Sequence, residues 1–275
     1  MRSLLFLVAL LPAFAAANEC RFTAQHDFEV DAAGLKSVAF ELGSTDVVVE
    51  GVPDLAKVEV RGKACASDQS WLAGLIVDQH RDGNRVTIMP HEGHDTNWSW
   101  FHSSYAYLEL HVRVPASLAI DIKGSSGDAD VSNVAALAFD ASSGDLQIDK
   151  IAGPLTVEVS SGDVTGGDIG SLDVRRTSSG DVTLHDVRGD VKVARSGSGD
   201  LHFDKVGGNV SVGNVGSGDV SINRAGGDVT VDSIGSGDVS VDAIGGNFSV
   251  RSTRAGNVRH KDVRGTVSVP HDNDD

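Results

Sequence analysis

The motif Ser-Gly-Asp recurs at a nearly constant interval through the second half of this chain of 275 residues. Its aspartates stand 17 to 19 residues apart, and a second series spaced by 19 residues runs half a repeat out of phase. A fixed short period of this kind is typical of a solenoid, in which each repeat forms one coil that stacks on the next. The first series comprises Asp128, Asp145, Asp163, Asp181, Asp200, Asp219, Asp238 and Asn257, and the second comprises Asp190, Asn209, Asp228, Asn247 and Thr266.

Each repeat contains two short stretches in which apolar and polar residues alternate. After Asp219, Val220 and Ile222 are apolar, while Ser221 and Asn223 are polar. This alternation predicts β-strands with one buried face, and the glycines between the stretches are expected to supply the positive φ angles of tight corners. Equivalent apolar residues then form three inward columns: Val182, Leu201, Val220, Val239 and Val258; Leu184, Phe203, Ile222 and Val241; Val191, Val210, Val229, Phe248 and Val267.

These patterns predict an all-β protein, a right-handed parallel β-solenoid (β-helix) of about eight coils with a period of 17–19 residues. One coil has too few apolar side chains to offset the conformational entropy of ordering it, so the coils must stack and the two ends need caps. His260 follows Val241 in its column, where the pattern turns polar. We therefore expect the last coil to close near Pro270, with residues 271–275 disordered.

The first 17 residues have the features of a secretory signal peptide. Arg2 precedes an apolar run, and Ala15 and Ala17 are the small residues expected before a cleavage site. No later segment approaches the ~20 apolar residues of a membrane helix. We predict an exported protein of a Gram-negative bacterium, in the periplasm, at the cell surface or secreted, without a membrane span after removal of the signal.

The composition divides the remaining chain into two regions. Residues 18–114 contain all the tryptophans, tyrosines and cysteines, whereas residues 115–270 are rich in glycine and β-branched residues. The first region is predicted to form a β-rich cap that continues into the solenoid at residue 115. Its expected elements are strands at 47–50, 58–60, 85–89 and 107–114, with a short helical segment at 70–75.

Cys20 and Cys65 are the only cysteines of the chain. In an exported protein an even pair is most simply a disulfide, here linking the mature N-terminus to the strand predicted around residues 58–64. The alternative is two unpaired, buried thiols.

Several segments together resemble a family of exported bacterial proteins that are described as adhesins with a β-strand repeat and are related to the head GIN domain. They are the signal peptide, the opening strand at 43–51, the strand that ends in Val114-Pro115-Ala116, and the Ser-Gly-Asp-Val coils. The resemblance implies a parallel β-solenoid in the cell envelope. The word adhesin rests on analogy in that family, because the fold does not define a function.

The mature chain is strongly acidic. Without the signal it has 22 basic and 39 acidic residues, a net charge of −17. Nucleic acid is excluded as a partner, because phosphate binding needs a basic surface.

The regular aspartates suggest two roles, and no cofactor is predicted. Calcium could bind between coils, but each Asp directly follows Gly, unlike the calcium-binding nonapeptide turn, and Asn209, Asn247 and Asn257 replace Asp at equivalent positions. Asn keeps an oxygen that accepts the N–H bonds of a turn but carries no charge. A structural turn ladder is therefore favoured over a calcium-stabilised surface repeat.

Two further clusters lie outside the repeats. His91, His94 and His102 are weak candidates for zinc or copper ligands, although Pro90 and Gly93 favour a solvated loop over a metal site. The second cluster is aromatic and suits either a surface that contacts sugar or protein, or a hydrophobic lid over the end of the solenoid. This aromatic segment contains Trp98, Trp100, Phe101, Tyr105 and Tyr107.

An enzyme is the less favoured functional class. Parallel β-helices that act on polysaccharides gather acidic or basic groups in a cleft between projecting loops, whereas the corners here are short and nearly identical. We expect a non-enzymatic, adhesin-like binding or scaffold protein whose partner is an envelope protein or a glycan. A polysaccharide-active β-helix enzyme is the alternative.

Overall fold

The structure, a computed structural model, describes residues 20–93 and 105–270, and these form 22 strands and one short 3-10 helix. The helix is Gln69–Gly74. The strands are β1 Phe22–Asp31, β2 Ser37–Leu42, β3 Asp46–Val52, β4 Lys57–Ala66, β5 Leu75–Asp82, β6 Arg85–Glu92, β7 Ala106–Pro115, β8 Ala119–Gly124, β9 Ala129–Val134, β10 Ala136–Ala141, β11 Leu146–Val159, β12 Val164–Arg176, β13 Val182–Val187, β14 Val191–Ser196, β15 Leu201–Val206, β16 Val210–Val215, β17 Val220–Ala225, β18 Val229–Ile234, β19 Val239–Ile244, β20 Phe248–Thr253, β21 Val258–Val263 and β22 Val267–Ser268.

The strands form two rows in parallel register, which confirms the predicted all-β solenoid of about eight turns. Row one contains β2, β8, β10, the second halves of β11 and β12, and then β14, β16, β18, β20 and β22. Row two contains β3, β9, the first halves of β11 and β12, and then β13, β15, β17, β19 and β21. Each coil therefore contributes one strand or half-strand to each row.

The inward columns lie where the sequence predicts them. Val220 pairs in register with Leu201 on one side and with Val239 on the other, and all three side chains are buried. The two rows share one hydrophobic core, which extends from Val38 in β2 to Val250 in β20. Valine and isoleucine suit these columns because branched side chains pack well on a pleated surface.

The corner glycines have a different role from the predicted one. Among the described glycines, positive φ angles occur at Gly34, Gly83 and Gly166, and no glycine of the Ser-Gly-Asp corners has one. A Cβ built at Gly218 would lie 2.0 Å from the carbonyl oxygen of Gly199, one coil before it. Glycine is required there because two backbones approach each other closely.

The positive φ angles of row two belong to non-glycine residues. One recurs near the end of each row-two strand from β9 onward, and Arg224, with φ of 60°, directly precedes the buried Ala225. This left-handed residue explains why the third apolar residue of such a strand follows three positions after the second. The series is Asn133, Lys150, Asp168, Asp186, Lys205, Arg224, Ala243 and Asp262.

Part of the N-terminal region lies inside the stack. The elements predicted there correspond to β3, β4, β6, β7 and the 3-10 helix. However, β2 and β3 form a coil of their own, which pairs in parallel with β8 and β9 on one side and with β6 and β7 on the other. The stack therefore includes strands before the predicted start at residue 115, and β1, β4 and β5 extend it with antiparallel pairs.

The two ends of the stack differ. At the N-terminal end, Cys20 and Cys65 form the predicted disulfide, with their Cα atoms 5.5 Å apart. At the C-terminal end, His260 of β21 pairs in register with Val241 but is exposed, and its ring centroid lies 6.2 Å from that of Phe248. The predicted signal peptide and the tail at 271–275 lie outside the described residues.

Candidate functional site

The aromatic segment is described in part, since Trp98, Trp100 and Phe101 lie outside the described residues. Tyr105 and Tyr107, at the start of β7, are 36% and 38% exposed, and their ring centroids lie 6.2 Å apart. Two neighbouring phenol rings that are more than one-third exposed present flat apolar faces together with polar hydroxyl groups.

Cys20 and Arg21 hold this tyrosine pair in place. The backbone N–H of Arg21 donates to the Tyr105 hydroxyl at 3.2 Å, and Cys20 Sγ lies 3.5 Å from the Tyr107 hydroxyl. The Ser67 N–H also donates to the carbonyl oxygen of Tyr105 at 2.9 Å. Because the disulfide joins Cys20 to β4, these contacts order the start of β7 directly after the segment that contains Trp98 and Trp100. Burial is the main cause of the raised pKa of Tyr107, with smaller effects from Glu109 and Tyr105.

The described part of the histidine motif makes contacts within the protein. His91 Nε2 lies 3.1 Å from Asp78 Oδ2 on the neighbouring strand β5. Glu92 accepts hydrogen bonds from the hydroxyls of Ser44 and Thr45, the latter at 2.8 Å. His94 and His102 lie outside the described residues, and the described part of the chain contains no group of three or more His, Cys, Asp or Glu side chains arranged to hold a metal ion.

The aspartates of the Ser-Gly-Asp corners form a ladder between coils. Asp219 Oδ1 accepts the backbone N–H of Asp238 at 2.8 Å, and the N–H of Asp219 donates to Asp200 Oδ1 at the same distance. The same contact, at 2.8 to 2.9 Å, connects all the members of the series: Asp46, Asp128, Asp145, Asp163, Asp181, Asp200, Asp219, Asp238 and Asn257. The corner pattern predicted hydrogen bonds within each turn, whereas these side chains accept hydrogen bonds from the next coil.

The second series of corners uses the same contact. Asp190 Oδ1 accepts the N–H of Asn209, and Asn209 Oδ1 in turn accepts the N–H of Asp228 at 2.9 Å. A carboxylate oxygen and an amide oxygen are thus interchangeable here, because the contact needs an acceptor and no charge.

A groove that the sequence analysis did not predict runs along the corners that lead from row two to row one. This corner groove has a volume of about 890 Å³. Its walls include the left-handed residues of β12, β13, β15 and β17, and its floor includes exposed backbone at Gly207, Gly226 and Gly245. The sequence contains one signal that could have predicted the groove: a charged residue recurs directly before the last inward residue of several row-two strands. The charged side chains that line the groove are Asp168, Asp186, Arg188, Lys205, Arg224, Asp262 and Arg264.

Ion pairs between successive coils position the groove side chains. Arg188 pairs with Asp168, and its Nη2 donates to the carbonyl oxygens of Ile151 and Ala152 at 3.0 and 2.9 Å. Lys205 Nζ lies 3.3 Å from Asp186 Oδ1. The hydrogen bond from His185, and then that from Lys205, lower the pKa of Asp186.

No helix in the described ranges is long and apolar enough to cross a membrane.

The fold defines the class of the protein as a two-row parallel β-solenoid with nearly uniform corners. The chain belongs to the Toastrack DUF4097 family, which matches it over residues 36–269. This match covers most of the chain and includes the N-terminal coil of β2 and β3 as well as the Ser-Gly-Asp repeats.

Several solved bacterial structures match this chain at low sequence identity. A candidate adhesin from Bacteroides fragilis is 16% identical, with 91% of this chain and 98% of that chain covered and a TM-score of 0.36. A candidate adhesin from Parabacteroides merdae is 13% identical, with 90% and 96% covered and a TM-score of 0.36. A candidate lipid-binding protein from Parabacteroides distasonis is 15% identical, with 89% and 96% covered and a TM-score of 0.44. Comparison with curated proteins gives no match.

Proposed function

We propose that this chain is an exported, non-enzymatic binding protein of the cell envelope, adhesin-like in the sense that it recognises an envelope glycan or protein. The aromatic segment at its N-terminal end is the recognition surface. The observation that carries this proposal is the exposed pair Tyr105 and Tyr107, held by the mature N-terminus at the end of the aromatic run. Aromatic side chains supply contact area with little loss of conformational entropy, and they dominate the energetics of many interfaces.

The described surface supports binding more than catalysis. The corners along the stack are short and alike, so that the groove beside them is open and no projecting loop encloses it. His185 and His202, two histidines of the repeat strands, are exposed on outward positions, and His185 Nδ1 contacts its neighbour Asp186 at 3.0 Å. A polysaccharide-active enzyme would need general acid and base groups held on either side of a bound chain.

Replacement of Trp98 and Trp100 by alanine tests the recognition surface. Each change should weaken binding to isolated envelope material by about 1 to 3 kcal/mol, while the melting temperature stays close to that of the parent. The matched control is Trp71→Ala, because Trp71 is partly buried and packs against the core. That variant should lose about 3 kcal/mol of stability.

The alternative is that the aromatic segment only covers the end of the solenoid. In that case the Trp98 and Trp100 variants would behave like the Trp71 variant in thermal unfolding. A folded double variant that binds envelope material as tightly as the parent would refute the proposed recognition surface.

A further inference from the structure

We propose that the corner groove is a second binding site, and that its ligand is an extended acidic polysaccharide that lies along the stack. Neither Tyr105 nor Tyr107, the described residues of the aromatic segment, lines this groove. The proposal goes beyond the proposed function because it names a different surface and a ligand of defined chemistry.

The shape of the groove favours a linear ligand. Equivalent groove positions recur once per coil, and neighbouring parallel strands lie about 4.8 Å apart. Arg188 and Arg264 occupy equivalent corner positions four coils apart, and the corners between them contribute the exposed glycines of the floor. A chain molecule can therefore lie along the backbone of successive coils and meet the same set of groups at regular intervals.

The left-handed backbone of row two places charged side chains along one wall. Lys205 and Arg224 have φ angles of 55° and 60° in successive coils, and both are exposed. A non-glycine residue in this conformation costs on the order of 1 kcal/mol. The left-handed position thus recurs in each coil although it costs conformational free energy. In these two coils it carries a cationic side chain.

The charge of the groove differs from that of the rest of the molecule. Four basic and three acidic side chains line it, although the whole chain has a net charge of −16. A groove on the Ser-Gly-Asp corners near β3 and β7 is lined instead by six carboxylates: Asp46, Glu109, Asp128, Asp130, Asp145 and Asp163. An anionic ligand is therefore attracted to the corner groove and repelled from its counterpart, because clefts focus the local potential.

Two arginines of the groove keep donors for a ligand. Arg264 has no ion pair or side-chain hydrogen bond with any described residue. Arg224 contacts Asp204 through Nη2 alone, at 2.5 Å from Oδ1 and 2.6 Å from Oδ2. Its Nε and Nη1 groups therefore remain available to a ligand. A guanidinium group offers five N–H donors in a plane and binds carboxylates strongly.

A polyuronate matches this combination of groups. Its carboxylates recur along the chain and can pair with Arg224 and Arg264, while its hydroxyl groups can donate to Asp168, Asp186 or Asp262.

The test compares binding of polygalacturonate and neutral dextran to the full mature chain by calorimetry at low and at physiological ionic strength. We expect polygalacturonate to bind and dextran not to bind, with affinity that falls as salt rises. The double variant R224Q/R264Q should bind polygalacturonate at least about tenfold more weakly, since each lost charge-assisted hydrogen bond contributes about 1.5 kcal/mol or more. The matched control K192Q/R195Q removes the same charge from exposed positions on row one and should bind like the parent.

The outcomes separate this site from the aromatic surface. A double variant of Trp98 and Trp100 should keep its affinity for polygalacturonate even if its binding to envelope material is lost. If R224Q/R264Q unfolds, R264Q alone is measured, because the Arg264 side chain has no ion pair or hydrogen bond with a described residue. Equal affinity of the groove variant and the control variant for polygalacturonate would overturn the proposal. Binding of dextran would do so as well, and so would binding of anionic lipid vesicles by a protein that does not bind polygalacturonate.

Discussion

At the scale of single residues, the corner aspartates act as hydrogen-bond acceptors between coils. Each accepts the backbone N–H of the equivalent residue in the next coil, and asparagine does the same at position 209. The asparagines also donate: Asn247 Nδ2 lies 3.2 Å from Asp228 Oδ1, and Asn257 Nδ2 lies 3.2 Å from Asp238 Oδ1. Replacement of a carboxylate by an amide thus keeps the backbone contact and replaces charge repulsion along the column with an attraction.

Substitution of Asp219 measures this role. Asp219→Asn should leave the free energy of unfolding unchanged or slightly raised, because an acceptor for the Asp238 N–H remains. Asp219→Ala should lose about 1 kcal/mol, because that N–H loses its partner. Chemical denaturation with and without calcium provides the measurement, and a large stabilisation by calcium that Asp219→Asn abolishes would contradict the structural ladder.

The same contacts make the stability of the fold depend on pH in the acidic range. The N–H of Asn257, and to a smaller extent the guanidinium of Arg259, hold the pKa of Asp238 below its usual range. Because the folded-state pKa lies below that of the unfolded chain, the contact stabilises the fold fully above about pH 4 and is lost as the pH falls through the folded-state value. We expect the melting temperature to fall through this acidic range, and to fall less in Asp238→Asn. Identical acid profiles for the parent and this variant would contradict the assignment.

At the scale of secondary-structure elements, stability depends on each strand presenting its inward residues to an unbroken column. Val220 in β17 is 1% exposed and pairs with Leu201 and Val239, while Ser221 beside it points outward. A coil that loses its column residue weakens both neighbours, because in a solenoid each coil packs only against the adjacent ones.

A pair of aspartate substitutions tests the inward column. Val220→Asp places an unpaired charge in the core and should cost several kcal/mol. Ser221→Asp introduces the same side chain one position along the strand on the outward face, and its effect should stay within about 0.5 kcal/mol. Thermal unfolding of the two variants gives the comparison, and similar melting temperatures would mean that the strand faces are assigned wrongly.

Local patterns predicted much of the fold, since alternation and the 19-residue period need only the order of residues. The columns through Val220 were found in this way, and the disulfide of Cys20 was predicted from an even pair of cysteines in a chain expected to be exported. The coil of β2 and β3 was not, because Asp46 lies 82 residues before its ladder partner Asp128 and no repeat connects them. The corner groove was missed for another reason: its left-handed positions carry residues such as Arg224, whereas sequence rules assign positive φ to glycine.

At the scale of the whole molecule, the stack has two unlike ends and two unlike edges. The N-terminal end carries the disulfide and the exposed tyrosine pair, whereas β21, the last strand of row two, presents Arg259, His260 and Lys261. Charged residues on an edge strand oppose the addition of another strand. Recognition at the N-terminal end, with the stack as a rigid support, is the arrangement that these features favour.

The most direct test of a non-enzymatic binding role is equilibrium binding of the mature protein to the separated polysaccharide and protein fractions of its own envelope, followed by analysis of the recovered ligand. We predict saturable, reversible binding to one fraction, with the ligand chemically unchanged after prolonged incubation. New reducing ends or released peptides in that fraction, or the absence of binding to every fraction, would contradict the account.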